Sequence, residues 1–129
     1  MPREMIVPKG QGFAPKHFRM APAAKANGLI WMSGVVADQR EPGEEAMDAA
    51  IDKAFATIGN TLAESGSGWE HVVEIVSYHT DLAGSIQTFM AVKDRYLTGP
   101  DFPAWTAIGT TALAIPTGIV EIKITATEA

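Results

Sequence analysis

The stretch from Ile119 to Thr127 limits the folds open to this chain more than any other. Val120, Ile122, Ile124 and Ala126 make one wholly apolar face, while Ile119, Glu121, Lys123 and Thr125 make a mixed one. A period of two is that of a β-strand, and a strand with one apolar and one mixed face belongs to a sheet covered on a single side. The chain must therefore supply a covering layer for the apolar side. The mixed side must either be wet or be given to another molecule.

Two segments have the period of the covering layer. From Glu44 to Ala63, Met47, Ile51, Phe55, Ile58 and Leu62 recur at steps of three and four, the stripe of an amphipathic helix. Glu44, Glu45 and Asp48 sit at its start, where negative charge meets the positive end of the helix dipole, and Gly66 and Gly68 stop it. A second helix fits Ser85 to Leu97, with Ser85 as its cap, Ile86, Phe89, Met90 and Tyr96 on one side, and Gly99-Pro100 ending it.

The remaining elements are strands. Two short ones are expected between Phe18 and Val36 around the hairpin dipeptide Asn27-Gly28. His71 to Thr80 is another, with His71, Val73, Ile75, Ser77 and His79 on one face, and Ala104 to Leu113 precedes the last. Pro2, Pro8, Gly10, Gly12 and Pro15 mark residues 1–15 as an irregular arm, and Ala37 to Gly43 reads as an exposed loop. The order is strand, strand, helix, strand, helix, strand, strand, an α+β pattern with two helices on one face of a mixed sheet. The mixed face around Glu121 favours a polar cleft between subunits.

At 129 residues the chain fits one domain, residues 1–129, large enough for a core without staples. It has no cysteine, which excludes thiol nucleophiles, disulfides and cysteine-ligated metals. Its formal charge of -5 repels phosphate backbones on average, so no nucleic-acid partner is expected. No apolar run has the length of a secretory signal or a membrane span, and Leu29-Ile30-Trp31-Met32 is stopped by Ser33-Gly34. The expectation is a cytoplasmic protein that does not enter membranes.

Several motifs together resemble the RidA/YjgF family, the reactive-intermediate deaminases, over about residues 20–127. They are Leu29-Ile30-Trp31-Met32-Ser33-Gly34, Trp69-Glu70-His71-Val72-Val73, Phe89-Met90-Ala91-Val92-Lys93-Asp94-Arg95-Tyr96, Pro103-Ala104 and Val120-Glu121-Ile122. The resemblance implies a chorismate-mutase-like fold and a homotrimer with a barrel-like core. It also implies small-molecule clefts between subunits, which would cover the bare sheet face. In deaminating members an arginine after Pro-Ala clamps the carboxylate of an imino acid, and a glutamate on the last strand positions water. Glu121 matches that glutamate; the arginine position holds Trp105.

A guanidinium grips a carboxylate with two charge-assisted hydrogen bonds, whereas an indole offers one N–H and a π face. Losing that grip costs about 1.5 to 3 kcal/mol. Met20 also stands where the family often has tyrosine, and Lys93 stands in place of an asparagine. The resemblance therefore implies a hydrolase acting on an imine, enamine or similarly polarised C–N bond, but not the usual 2-imino acid deaminase. A non-catalytic trimer that binds a small metabolite is the alternative.

The candidate site residues are Glu121 as the water-handling group and Trp105, Met20, Lys93 and His79 as substrate-binding groups. Each also has an ordinary reading. Glu121 can be a solvated carboxylate on an alternating strand, Trp105 can simply pack, and Lys93 can be a surface charge. Lys25, Arg19 and Lys123 are further cations able to stand in for the arginine. His17, His71 and His79 show no metal-ligand spacing, Gly10-Gln11-Gly12 fails as a dinucleotide loop, and Ser33-Gly34 reads as structural, so neither metal nor cofactor is expected. The ribonuclease label carried by some relatives is disfavoured by the acidic balance.

Overall fold

A computed structural model describes residues 2–129. The strands are β1 (Glu4–Ile6), β2 (Ala23–Ala26), β3 (Leu29–Met32), β4 (Val35–Asp38), β5 (Val72–His79), β6 (Ala104–Gly109) and β7 (Gly118–Thr127). Helix α1 (Glu44–Glu64) lies between β4 and β5, and α2 (Leu82–Tyr96) lies between β5 and β6. The sheet order is β1-β2-β3-β7-β5-β6, with β4 also paired to β7. All pairings are antiparallel except β5 with β6. This is the expected α+β arrangement, and β7, whose alternation demanded it, is the strand on which the sheet is built.

The apolar residues of β7 are buried, Val120 and Ala126 completely, beneath α1 and α2. Ile51, Phe55, Ile58 and Leu62 of α1 and Phe89 and Val92 of α2 are fully buried against them. Phe55 packs with Phe89, Trp69 and Tyr96 at centroid distances of 5.3 to 5.7 Å. Each such side chain contributes about 1.5 to 3 kcal/mol by leaving water. Arg95 of α2 grips Asp48 of α1 through two hydrogen bonds of 3.0 and 2.6 Å, which holds the Asp48 carboxyl below the usual range.

Several local expectations are corrected. Residues 1–15 are not irregular throughout, because Glu4–Ile6 pairs with Ala23–Lys25. The Pro and Gly punctuation falls outside that short strand, where it does not interrupt the ladder. The hairpin forms at Asn27-Gly28, both with φ values positive, at 52° and 77°. The strand after it breaks at Ser33-Gly34 into β3 and β4, and the register against β7 slips by one residue between Trp31↔Thr125 and Val35↔Ile122. That bulge exchanges the two faces, so Ala37 is buried in a strand where an exposed loop was expected.

A second slip, between Val72 and Glu74, turns Val72 to the core and leaves Val73 exposed. Helix α2 begins earlier than Ser85, because Asp81 is the cap and its Oδ1 accepts from the Gly84 N–H at 3.1 Å. Strand β6 ends at Gly109 because its parallel partner β5 turns into α2 after His79.

Candidate functional site

The expected site residues divide between the two faces of the sheet. Ser77, His79 and Trp105 point toward the helices. His79 is fully buried, and its ring lies edge-on to Phe89 at 5.1 Å. Its Nδ1 is 2.7 Å from Ser85 Oγ and its Nε2 is 2.8 Å from Ser77 Oγ. Ser85 Oγ–H donates to the Asp81 carbonyl at 2.8 Å, and Trp105 Nε1–H donates to Ser77 Oγ at 3.0 Å.

One proton arrangement satisfies every atom of this chain. Trp105 donates to Ser77, Ser77 donates to His79 Nε2, His79 Nδ1–H donates to Ser85, and Ser85 donates to the carbonyl. The imidazole is therefore neutral, and burial holds its pKa below the ordinary histidine value. Lys93 completes the group, its ammonium 4.9 Å from the centre of the Trp105 ring and 3.1 Å from Asp94 Oδ1. Trp105 also stacks on Phe89 at 5.6 Å. Its packing reading is thus realised in the chain, with its polar handle committed to Ser77.

Glu121 lies on the opposite, uncovered face, directly across from Tyr78 on β5 and Val36 on β4. It lines a shallow cleft of about 370 Å³ with Tyr78, Thr110, Leu113 and Lys123. Its carboxylate rests on the backbone of Gly34 at the bulge. A Cβ there would overlap the carboxylate and stand 2.7 Å from its Cδ. Ser33 anchors the same bulge, donating from its N–H to Pro22 O at 3.0 Å and from its hydroxyl to Ala21 O at 2.7 Å. Ser33-Gly34, read from sequence as structural, is therefore also what makes room for Glu121.

Met20 is 40% exposed and lies in a third place, a cleft of about 660 Å³ that it lines with Arg3, Met5 and Arg19. The structure thus brings Trp105, Lys93 and His79 together, and separates them from Glu121 by the thickness of the sheet. Within one chain Trp105 and Glu121 cannot grip one ligand. Sequence reasoning set Ser77 on the face of His79 but missed Tyr78 and Gly34 as neighbours of Glu121. Tyr78 was findable from its parity on β5; Gly34 was not, because its contact depends on the bulge. Among the described residues no three His, Asp or Glu side chains gather to hold a metal ion. No helix among them is long and apolar enough to cross a membrane.

The family model described as Endoribonuclease L-PSP matches residues 14–128. The RutC family protein YjgH of Escherichia coli K12 is 31% identical over 114 residues, covering 87% of this chain and 86% of that protein. A solved structure of a protein YJGH matches with a TM-score of 0.86 at 28% identity, over 99% of this chain and 98% of the other. NMB1025 of Neisseria meningitidis, described as a YjgF family member, matches with a TM-score of 0.80 at 32% identity, over 100% and 97%. Rv2704 of Mycobacterium tuberculosis shares the fold at 22% identity with a TM-score of 0.79, over 98% and 99%.

Proposed function

This chain belongs to the endoribonuclease L-PSP family, which takes in the YjgF/Rid proteins, and from that premise we propose that it is a small-molecule hydrolase of polarised C–N double bonds. The observation that carries the reading is the Glu121 carboxylate, seated against Gly34 in a cleft on the uncovered sheet face. A carboxylate held there can accept a proton from water as its oxygen bonds to an imine carbon. The C–N bond then breaks, leaving a carbonyl product and an amine that takes up the water protons. Tyr78 and Lys123, on the same cleft wall, supply an O–H and an ammonium to hold a polar substrate.

The site is proposed to lie between subunits of a homotrimer. Among the described residues strand β6 pairs with β5 alone, and it carries Trp105 at that edge. A neighbouring copy set against the uncovered face would bring its Trp105 and Lys93 toward Glu121, which one chain alone cannot do. Because Trp105 replaces the arginine of the deaminating relatives, ordinary 2-imino acids are not the proposed substrates. The cleft around Glu121 carries one lysine and the chain is acidic, which favours a small molecule over RNA.

The test is hydrolysis of a panel of imines, with 2-iminopropionate generated in situ as one member, by wild type and Glu121→Gln. Wild type is expected to accelerate some members but not 2-iminopropionate, and Glu121→Gln to lose about a hundredfold or more, the scale of a general base. Light scattering is expected to give about three chain masses for both. Failure to hydrolyse any imine while still binding a small molecule would replace the hydrolase with a metabolite-binding trimer.

A further inference from the structure

The cleft beside Met20 differs in composition from the cleft that holds Glu121. Arg3 and Arg19 line it, and no carboxylate does. Met5, Pro15, Met20, Ala21 and Ala24 make the rest of its wall apolar. Four of the other cations of this acidic chain are paired: Lys25 with Glu128, Arg40 with Asp38, Lys93 with Asp94, and Arg95 with Asp48 and Asp52. Among the described residues, neither Arg3 nor Arg19 makes an ion pair. Arg19 also holds a left-handed backbone, φ 53°, in which a non-glycine residue is uncommon. Its N–H caps the preceding turn on Ala14 O.

The register places this cleft on the same side of the sheet as Glu121. Met5 pairs with Ala24, Ala24 with Trp31, and Trp31 with Thr125, so these four share one face. Thr125 shares it with Lys123 and Glu121 by the alternation of β7. A hydrogen bond also ties this wall to the segment beneath Glu121. Ala21 accepts from the Ser33 hydroxyl, and Gly34, the next residue, carries the Glu121 carboxylate.

We propose that Arg3 and Arg19 form the anion-binding end of the site, taking the carboxylate of an amphipathic small acid whose apolar body lies on Met5 and Met20. Two guanidiniums can each give a carboxylate paired hydrogen bonds, the grip Trp105 cannot offer. The inference rests on the hydrolase reading in one respect: it makes the substrate an acid whose carboxylate is remote from its reacting C–N carbon. A 2-imino acid has the two groups adjacent, whereas the arginines and Glu121 line two clefts with no lining residue in common.

Binding can be tested without turnover. The probe is 4-methylpentanoate, with its neutral isostere 4-methylpentanamide as comparison, titrated into the full chain carrying [methyl-13C]methionine. The acid is expected to shift the Met5 and Met20 methyl resonances saturably and the amide to leave them in place. Arg3→Gln and Arg19→Gln are each expected to weaken the acid at least tenfold, the double variant to abolish its effect, and Arg40→Gln to change nothing. Equal responses to acid and amide, or wild-type affinity in the double variant, would overturn the proposal. Glu121→Gln separates this from the hydrolase reading. It is expected to bind the acid as wild type does while losing turnover, and carboxylate binding by wild type without any imine turnover would sink the hydrolase alone.

Discussion

The two faces of the sheet use polar groups in opposite ways. On the helix side, Trp105, Ser77, His79 and Ser85 form a chain in which every donor has an acceptor. Among the described residues no buried side-chain nitrogen or oxygen lacks a partner. On the uncovered side, Glu121 touches a glycine, and Arg3 and Arg19 line a cleft to which no carboxylate contributes. Burial explains the contrast, since an unpaired polar group out of water costs 1 to 3 kcal/mol or more, whereas one facing solvent is satisfied by water. Groups on the dry face are thus committed to one another. Those on the wet face remain free to meet a ligand.

Substitutions on the two faces should therefore differ in kind. Phe55→Ala, which empties the centre of the aromatic cluster, is expected to have the largest effect on stability, about 3 to 5 kcal/mol by urea unfolding. Ser77→Ala comes next, because it leaves both the Trp105 N–H and His79 Nε2 unpaired in the interior. A loss of about 2 to 3 kcal/mol is expected. A value near zero would mean that the helix-side chain is not a structural unit.

His79 adds a pH dependence to the same face. Burial lowers its pKa in the folded state, so the unfolded chain binds the proton more readily. The stability it contributes is fully present above the unfolded value of about 6.5 and is lost as pH falls below it toward the folded pKa. Urea midpoints taken from pH 7.5 down to 5 are expected to fall in wild type and to flatten in His79→Gln. An identical slope in both would assign the dependence to other groups.

Gly34→Ala should have the smallest effect on stability. Its backbone suits alanine, and the colliding atoms belong to the flexible end of Glu121, so less than about 1 kcal/mol is expected. Imine turnover should nonetheless fall toward that of Glu121→Gln. Full activity in Gly34→Ala would show that the carboxylate need not rest where the bulge places it.

Much of this fold was legible because it depends on short-range patterns. The α1 stripe, the alternation of β7 and the Asn27-Gly28 turn are each local, and each predicted the element that formed. The site was less legible. Glu121, Trp105, Lys93 and His79 could be picked out as chemistry-bearing residues, but their grouping could not. Parity on β5 already assigned Ser77 and His79 to one face. The place of Ser85 opposite His79 required α2 to be capped by Asp81, which a serine-cap reading of the same segment obscured.

The sequence by itself determined that a sheet would form with one face covered and one bare, because residue periods of two and 3.6 follow from backbone geometry alone. Tertiary structure decided which groups meet. A one-residue slip at Ser33-Gly34 sets Glu121 against a glycine, and pairing between β1 and β2 carries Arg3 to the cleft that holds Arg19. Those contacts join residues far apart in the chain, and their register depends on long-range packing that no local pattern encodes.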